Sequence, residues 1–331
     1  MRDKIAGALY GMALGDAMGM PAELWGRKRV KAFFGRIEGF LDGPAENDVA
    51  FNYKKGQFTD DTGQALVLLD SIESTDYEPD TRDIALRMLA WAEKENAFEN
   101  NILGPTSKVA LANFRDNIQD SRITDKALSN GSAMRIAPIG CLFRPEQKED
   151  IARYVYLVSR ATHTSDVTIA GAAMIAEAVS SAIVKDDFEK VIEDVFGIEE
   201  IGYGMGCETF SPRLGERLRI GLDIAGSYKG DDEGFIHKLY DVVGTGVGII
   251  ESVPAALSVA YYAQDPNLSC LLCANMAGDT DTIGAMATAV CGAFTGMGRI
   301  KPEYIRTLRQ QNDADFDHYI RILEKGRERF A

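Results

Sequence analysis

Apolar residues recur at three- and four-residue spacing through 62–72, 83–94, 151–160, 168–184, 254–263 and 282–295. That period is the mark of helices with one face, or all of it, buried. Strand-like alternation is scarce, and turn-forming runs such as "DGPAEND" (42–48), "YEPD" (77–80), "RPEQKED" (144–150), "KGDDEG" (229–234) and "QDPN" (264–267) separate the helical windows. The pattern predicts an all-α protein of many helices. No Pro-, Ser- or Gln-rich linker and no repeat of solenoid length interrupts it, so one compact domain over 1–331 is expected.

In the first helix Gly7, Gly11, Gly15 and Gly19 recur every four residues and form one slowly drifting stripe. Each interior glycine costs about 1 kcal/mol relative to alanine. Close backbone approach of another helix is the compensation this predicts.

Composition narrows the partners. Lys plus Arg number 36 against 50 Asp plus Glu, a formal net charge of −14. A field of that sign repels phosphate backbones, so a nucleic-acid polymer is not an expected partner. The N-terminus lacks the uninterrupted apolar run of a signal peptide, and no long uncharged membrane stretch is expected elsewhere, which points to the cytoplasm. Five cysteines fit reduced core thiols. The Cys270–Cys273 pair in "LSCLLCANMAG" has no second Cys or His pair nearby and reads as one face of a helix.

Two stretches do not fit packing alone. "QFTDDTGQALVLLDSI" (57–72) carries Asp60 and Asp61, and "AGDTDTIGAMATAVCGAFTG" (277–296) carries Asp279 and Asp281, each pair at the mouth of an apolar helix. Asp and Thr are favoured N-caps, but one carboxylate would serve that purpose. Residues 279 and 281 would diverge by about 200° inside a helix, so they converge only if that turn is not yet helical, with Thr282 or a neighbour capping the helix behind. Four carboxylates brought together in a buried place need protons or cations, and two divalent ions would balance them. The all-oxygen donor set suits Mg²⁺ or Mn²⁺ better than zinc. An EF-hand loop competes, since Asp279, Asp281 and Gly284 match its positions 1, 3 and 6, but Val290 stands where its bidentate Glu is needed.

Four motifs carry a family likeness: "GALYGMALGDAMGMPAE" (7–23), "FTDDT" (58–62), "NGSAMRIAPIG" (130–140) and "AGDTDTIGAMATAVCGAFTG". The chain resembles the ADP-ribosylglycohydrolase family, which includes the dinitrogenase-reductase-activating glycohydrolase and the ADP-ribosyl-acceptor hydrolases. "ELW" (23–25) and "LGPTSKVAL" (103–111) extend the likeness to a bacterial branch. The resemblance implies a compact all-α bundle with a central binuclear Mg²⁺ or Mn²⁺ site. Its ligands would be Thr59, Asp60, Asp61, Asp279, Asp281 and Thr282, and the ions would hold the ribose hydroxyls. Glu23 would act on a water or engage the ribose, as the catalytic carboxylate.

The loop around Gly131 and Ser132 offers backbone N–H groups to a diphosphate, before Met134 and Arg135 begin a helix. The resemblance makes Asn130, Gly131, Ser132, Met134, Arg135 and His163 substrate contacts, with Arg135 alternatively a buried structural cation. Members of the nitrogenase branch carry an aspartate ahead of a Gly-x-Thr-Thr segment, where this chain has Ile102 and Leu103 before Gly104 and Glu99 as the nearest acid. That departure speaks against arginine-linked substrates. The expected activity is hydrolysis of an N- or O-linked ADP-ribosyl bond on a protein or small molecule. The alternatives are hydrolysis of a nucleoside or other small ribosyl N-glycoside, and a non-catalytic ADP-ribose binder.

Overall fold

The computed structural model describes residues 1–100 and 102–331. Among the described residues the regular structure is helical, with no strand beyond isolated bridges. The first half contains α1 (Arg2–Gly19), α2 (Arg27–Phe34), α3 (Asp60–Ser74), α4 (Thr81–Lys94), α5 (Pro105–Arg115), α6 (Arg122–Asp125), α7 (Ala137–Gly140) and α8 (Lys148–Ser159). The second contains α9 (Asp166–Val184), α10 (Phe188–Tyr203), α11 (Leu214–Ser227), α12 (Asp232–Val242), α13 (Ile249–Ala263), α14 (Pro266–Met276), α15 (Thr280–Thr295), α16 (Pro302–Gln311) and α17 (Phe316–Phe330). All six sequence windows lie in helices, and α1, α9 and α15 are buried almost throughout. One continuous apolar core joins both halves.

The glycine stripe is the seam of that core. A methyl group built on Gly7, Gly11, Gly15 or Gly19 would lie 2.1, 2.3, 1.9 or 2.2 Å from the carbonyl oxygens of Gly292, Thr288, Gly284 and Thr280, respectively. The partner numbers fall by four as the stripe rises by four, so α1 and α15 run antiparallel with their backbones in contact. Gly284, the apparent EF-hand glycine, is one of these packing glycines, and α15 is continuous through it. The seam seats the start of α15 against the end of α1, where the Thr280 hydroxyl donates to the Gly19 carbonyl at 2.7 Å.

Two expectations need correction. Met134 and Arg135 do not begin a helix: residues 130–136 form turns and α7 starts at Ala137, with Pro138 unable to donate within it. Cys207 is exposed, whereas Cys141, Cys270, Cys273 and Cys291 are buried thiols. Helix α9 is long and apolar enough to cross a membrane, with mean hydropathy 1.8, but 94% of that window is buried within the bundle. It is the core helix, and it carries Glu177.

Candidate active site

Six helices begin under a side-chain cap from their own Asp or Ser: α4, α9, α10, α12, α14 and α17. Helices α3 and α15, opened by Asp60 with Asp61 and by Asp279 with Asp281, do not. Thr59 and Asp279 occupy the N-cap positions of α3 and α15 without making a cap bond, so these acids are not ordinary caps. Helix α3 is capped from outside: Asp16 of α1 accepts from the Thr59 N–H at 2.9 Å, the Thr62 N–H at 3.0 Å and the Thr62 hydroxyl at 2.6 Å. The α3 carboxylates are therefore left free for other work.

Asp279 lies just outside α15 and Asp281 is its second residue, which lets both converge although the helix starts at Thr280, earlier than the expected cap near Thr282. The sharp entry uses positive φ at Ala277 (73°) and Gly278 (86°). A side chain on Gly278 would lie 2.2 Å from the Thr245 carbonyl oxygen. A non-glycine residue such as Ala277 in that region costs on the order of 1–3 kcal/mol, and such strain gathers at functional sites. Opposite, Leu24 donates to the Gly278 carbonyl at 2.7 Å and Gly278 donates back to the Trp25 carbonyl at 3.0 Å. Buried Asn47 holds the same segment by donating to the Glu23 carbonyl at 3.0 Å. Glu23 is thereby pinned across from Asp279.

The result is a nest of six acids. Carboxylate oxygens of Asp16, Asp61 and Asp281 lie within 4.8 Å of one another, as do those of Glu23, Asp279 and Asp281. Burial raises their affinity for protons: it pushes Asp16 and Asp279 up to about 6 against the hydrogen bonds they accept, and pushes Asp60, with Asp16 and Asp279 adding to it, up to about 8. Glu23, Asp61 and Asp281 lie well above the ordinary carboxylate range for the same reason. Thr59 Oγ1, Asp61 Oδ2 and Asp281 Oδ1 are buried with no hydrogen-bond partner among the described residues. Buried oxygens are normally satisfied, so three orphaned oxygens among clustered acids fit a hard divalent cation.

The 128–136 loop faces this nest. It is tied down by Asn130 N–H donating to the Val247 carbonyl at 3.0 Å and Ile249 N–H donating to the Leu128 carbonyl at 2.9 Å. The Asn130 amide donates to Asp279 Oδ2 at 2.5 Å. The Gly131 and Ser132 N–H groups donate to nothing among the described residues, while those of Ala133 and Met134 turn back onto the Asn130 carbonyl. The Ser132 hydroxyl is spent on the Thr168 carbonyl at 3.0 Å, and Met134 is buried.

A family model described as ADP-ribosylglycohydrolase matches residues 1–329. This chain belongs to the ADP-ribosylglycohydrolase family. It is similar to YegU of Escherichia coli (strain K12), at 44% identity over 327 residues and 98% of each chain. The ADP-ribosylarginine hydrolase Tri1 of Pseudomonas putida (strain GB-1) is 26% identical over 92% of this chain and 73% of its own. The ADP-ribosylhydrolase ARH3 of Homo sapiens is 23% identical over 94% and 91%. A solved structure of an ADP-ribosylglycohydrolase-related protein complex agrees in fold, with a TM-score of 0.71 at 22% identity over 98% of both chains. The family and these relatives make the chain a hydrolase.

In this ADP-ribosylglycohydrolase, Arg135 and His163 lie behind the loop, 1% and 0% exposed, with partners inside the protein. Burial and then the Arg135 charge hold His163 well below its ordinary pKa, so it is a neutral ring. A methyl on Gly131 would lie 2.7 Å from that ring, so the loop rests on it. Leu103 is buried, and Asn101 of the same segment lies outside the described residues. Two residues escaped the sequence reading. Asp16 is the one charge between Lys4 and Glu23, and that isolation in an apolar helix was its signal. Tyr53 had no such signal; its phenol is pushed upward by burial and by the Asp60 and Glu23 carboxylates. Tyr53 and Thr59 also line a cavity of about 380 Å³ together with Gln57, Trp91 and Asn312.

Proposed function

We propose that this single catalytic domain hydrolyses the bond between the ribose C1 of ADP-ribose and an N- or O-linked acceptor. Thr59, Asp60, Asp61, Asp279, Asp281 and Thr282 would hold two divalent ions, Mg²⁺ or Mn²⁺. The carrying observation is the set of orphaned buried oxygens on Thr59, Asp61 and Asp281. When bound, such ions polarise the ribose hydroxyls and stabilise charge that develops as the glycosidic bond breaks.

The chain's own residues do the rest. Glu23, half-buried beside Asp279 and Asp281, is placed to orient the attacking water and take its proton on a carboxylate oxygen. The free Gly131 and Ser132 N–H groups support a diphosphate contact, since consecutive amides at a turn make an anion cradle. Asn130 joins that cradle to Asp279.

The test is a panel of ADP-ribosylated acceptors and nucleosides assayed with added Mg²⁺ or Mn²⁺. Metal-dependent release of ADP-ribose is expected. Turnover of nucleosides with no release from any ADP-ribosylated acceptor would transfer the assignment to small N-ribosides.

A further inference from the structure

A buried cation, Arg135, stands in the field of the nest, and among the described residues it makes no salt bridge with a carboxylate. Arg135 Nη1 donates to Gln64 Oε1 at 2.7 Å, and Gln64 Nε2 donates onward to Asp60 Oδ2 at 2.8 Å. From its other arm, Arg135 Nη2 donates to Thr162 Oγ1 at 2.6 Å. Thr162 Oγ1 meets His163 Nδ1 at 2.9 Å, His163 Nε2 meets Ser129 Oγ at 3.1 Å, and Ser129 Oγ meets Thr106 Oγ1 at 3.0 Å. Gln64, Arg135, Thr162 and His163 are each at most 1% exposed.

The chemistry of each link is constrained. A primary amide can accept from a guanidinium and donate to a carboxylate at once, which a carboxylate or hydrocarbon at position 64 could not do. A guanidinium fork holds two acceptors at fixed angle, which an ammonium does not. We propose that Gln64 and Arg135 are positioning residues: one buried fork sets the Asp60 carboxylate through Gln64 and sets the Ser129–Ser132 loop through Thr162 and His163. This rests on the metal-centre reading above. It adds that the cation end and the diphosphate end are held in register by the same side chain. Outer partners that orient metal ligands contribute strongly, and their loss commonly lowers metal affinity about 10- to 100-fold.

The experiment measures Mn²⁺ binding by calorimetry and ADP-ribose binding to the Mn²⁺-loaded protein, with the metal-free thermal midpoint as a control on folding. Gln64→Leu is expected to weaken Mn²⁺ binding about 10- to 100-fold. Gln64→Asn, too short to span both partners, is expected to do the same and serves if Gln64→Leu does not fold. Thr162→Val is expected to leave Mn²⁺ affinity at the parent value and to weaken ADP-ribose binding. Arg135→Lys is expected to weaken both. Parent Mn²⁺ affinity in a folded Gln64 variant overturns the cation arm, and parent ADP-ribose affinity in Thr162→Val overturns the loop arm. A wild-type protein that binds no Mn²⁺ overturns instead the metal-centre reading on which both depend.

Discussion

Two buried groups of acids in this protein are handled in opposite ways. In the core around α9, Glu177 Oε1 and Asp194 Oδ1 share the Lys148 ammonium at 2.9 Å each, and Ser181 donates to Asp194 at 2.7 Å. Burial alone would raise Asp194, but the hydrogen bonds from Lys148 and Ser181 outweigh it and hold the carboxyl below its ordinary range. In the nest at the starts of α3 and α15, six acids are all raised, and the Arg135 charge acts against that rise at Asp60. Around Lys148 the amine holds Asp194 ionised and pulls against the burial that raises Glu177. Where no amine stands among the acids, protons or a cation must meet the charge, because an uncompensated buried carboxylate is too costly to keep ionised.

The comparison breaks most visibly at the ligands. Asp61→Ala or Asp281→Ala is expected to abolish turnover and the stabilisation by Mg²⁺ together, read by product release and thermal melts. Glu23→Ala should lose about 10²- to 10⁴-fold in turnover while the melt still responds to Mg²⁺. A ligand variant with parent turnover would end the metal-centre reading.

Next in size is the seam that brings the nest together. Gly15→Ala drives a methyl into the Gly284 carbonyl, and destabilisation of about 1–3 kcal/mol or more is expected by denaturant titration. Metal response should weaken with it.

Removing the metal should expose the nest's protons. Asp16 and Asp279 at about 6 and Asp60 at about 8 all lie above their ordinary 3.8. The native metal-free protein then holds protons that the unfolded chain has released. Its stability is therefore expected to fall as pH rises from about 4 to about 8, and saturating Mg²⁺ should flatten that slope. A metal-free protein that gains stability over this window would contradict the burial of the cluster.

The smallest effect belongs to the paired cluster. Glu177, pushed up to about 8 by burial against the pull of Lys148, is native-protonated below that pH. Lys148→Met should cost stability at about pH 6, where ionised Asp194 loses its amine, and distinctly more at about pH 9, where Glu177 must also ionise without it. Turnover per folded molecule should be unchanged.

Much of this was legible in the residues. A four-residue glycine period implies a backbone contact because no other arrangement repays four interior glycines, and α15 provides it. Doubled carboxylates before apolar helices implied a charge problem, because a cap needs one. The apolar windows fell on α3, α4, α8, α9, α13 and α15, and α1 showed in its glycines, but α2, α5, α10, α11, α12, α16 and α17 were not among them.

Other things existed only in three dimensions. Asp16 caps a helix more than 40 residues away, and nothing local to position 16 names Thr59 and Thr62 as its partners. Arg135 could have faced substrate or core, and the choice was made by Gln64 and Thr162, which burial brings to either side of its fork. The sequence by itself determined which side chains could carry the chemistry and which helices they would open. The tertiary structure alone decided which of them meet, because hydrogen bonds and carboxylate repulsion act over a few ångströms and chain separation says nothing about that distance.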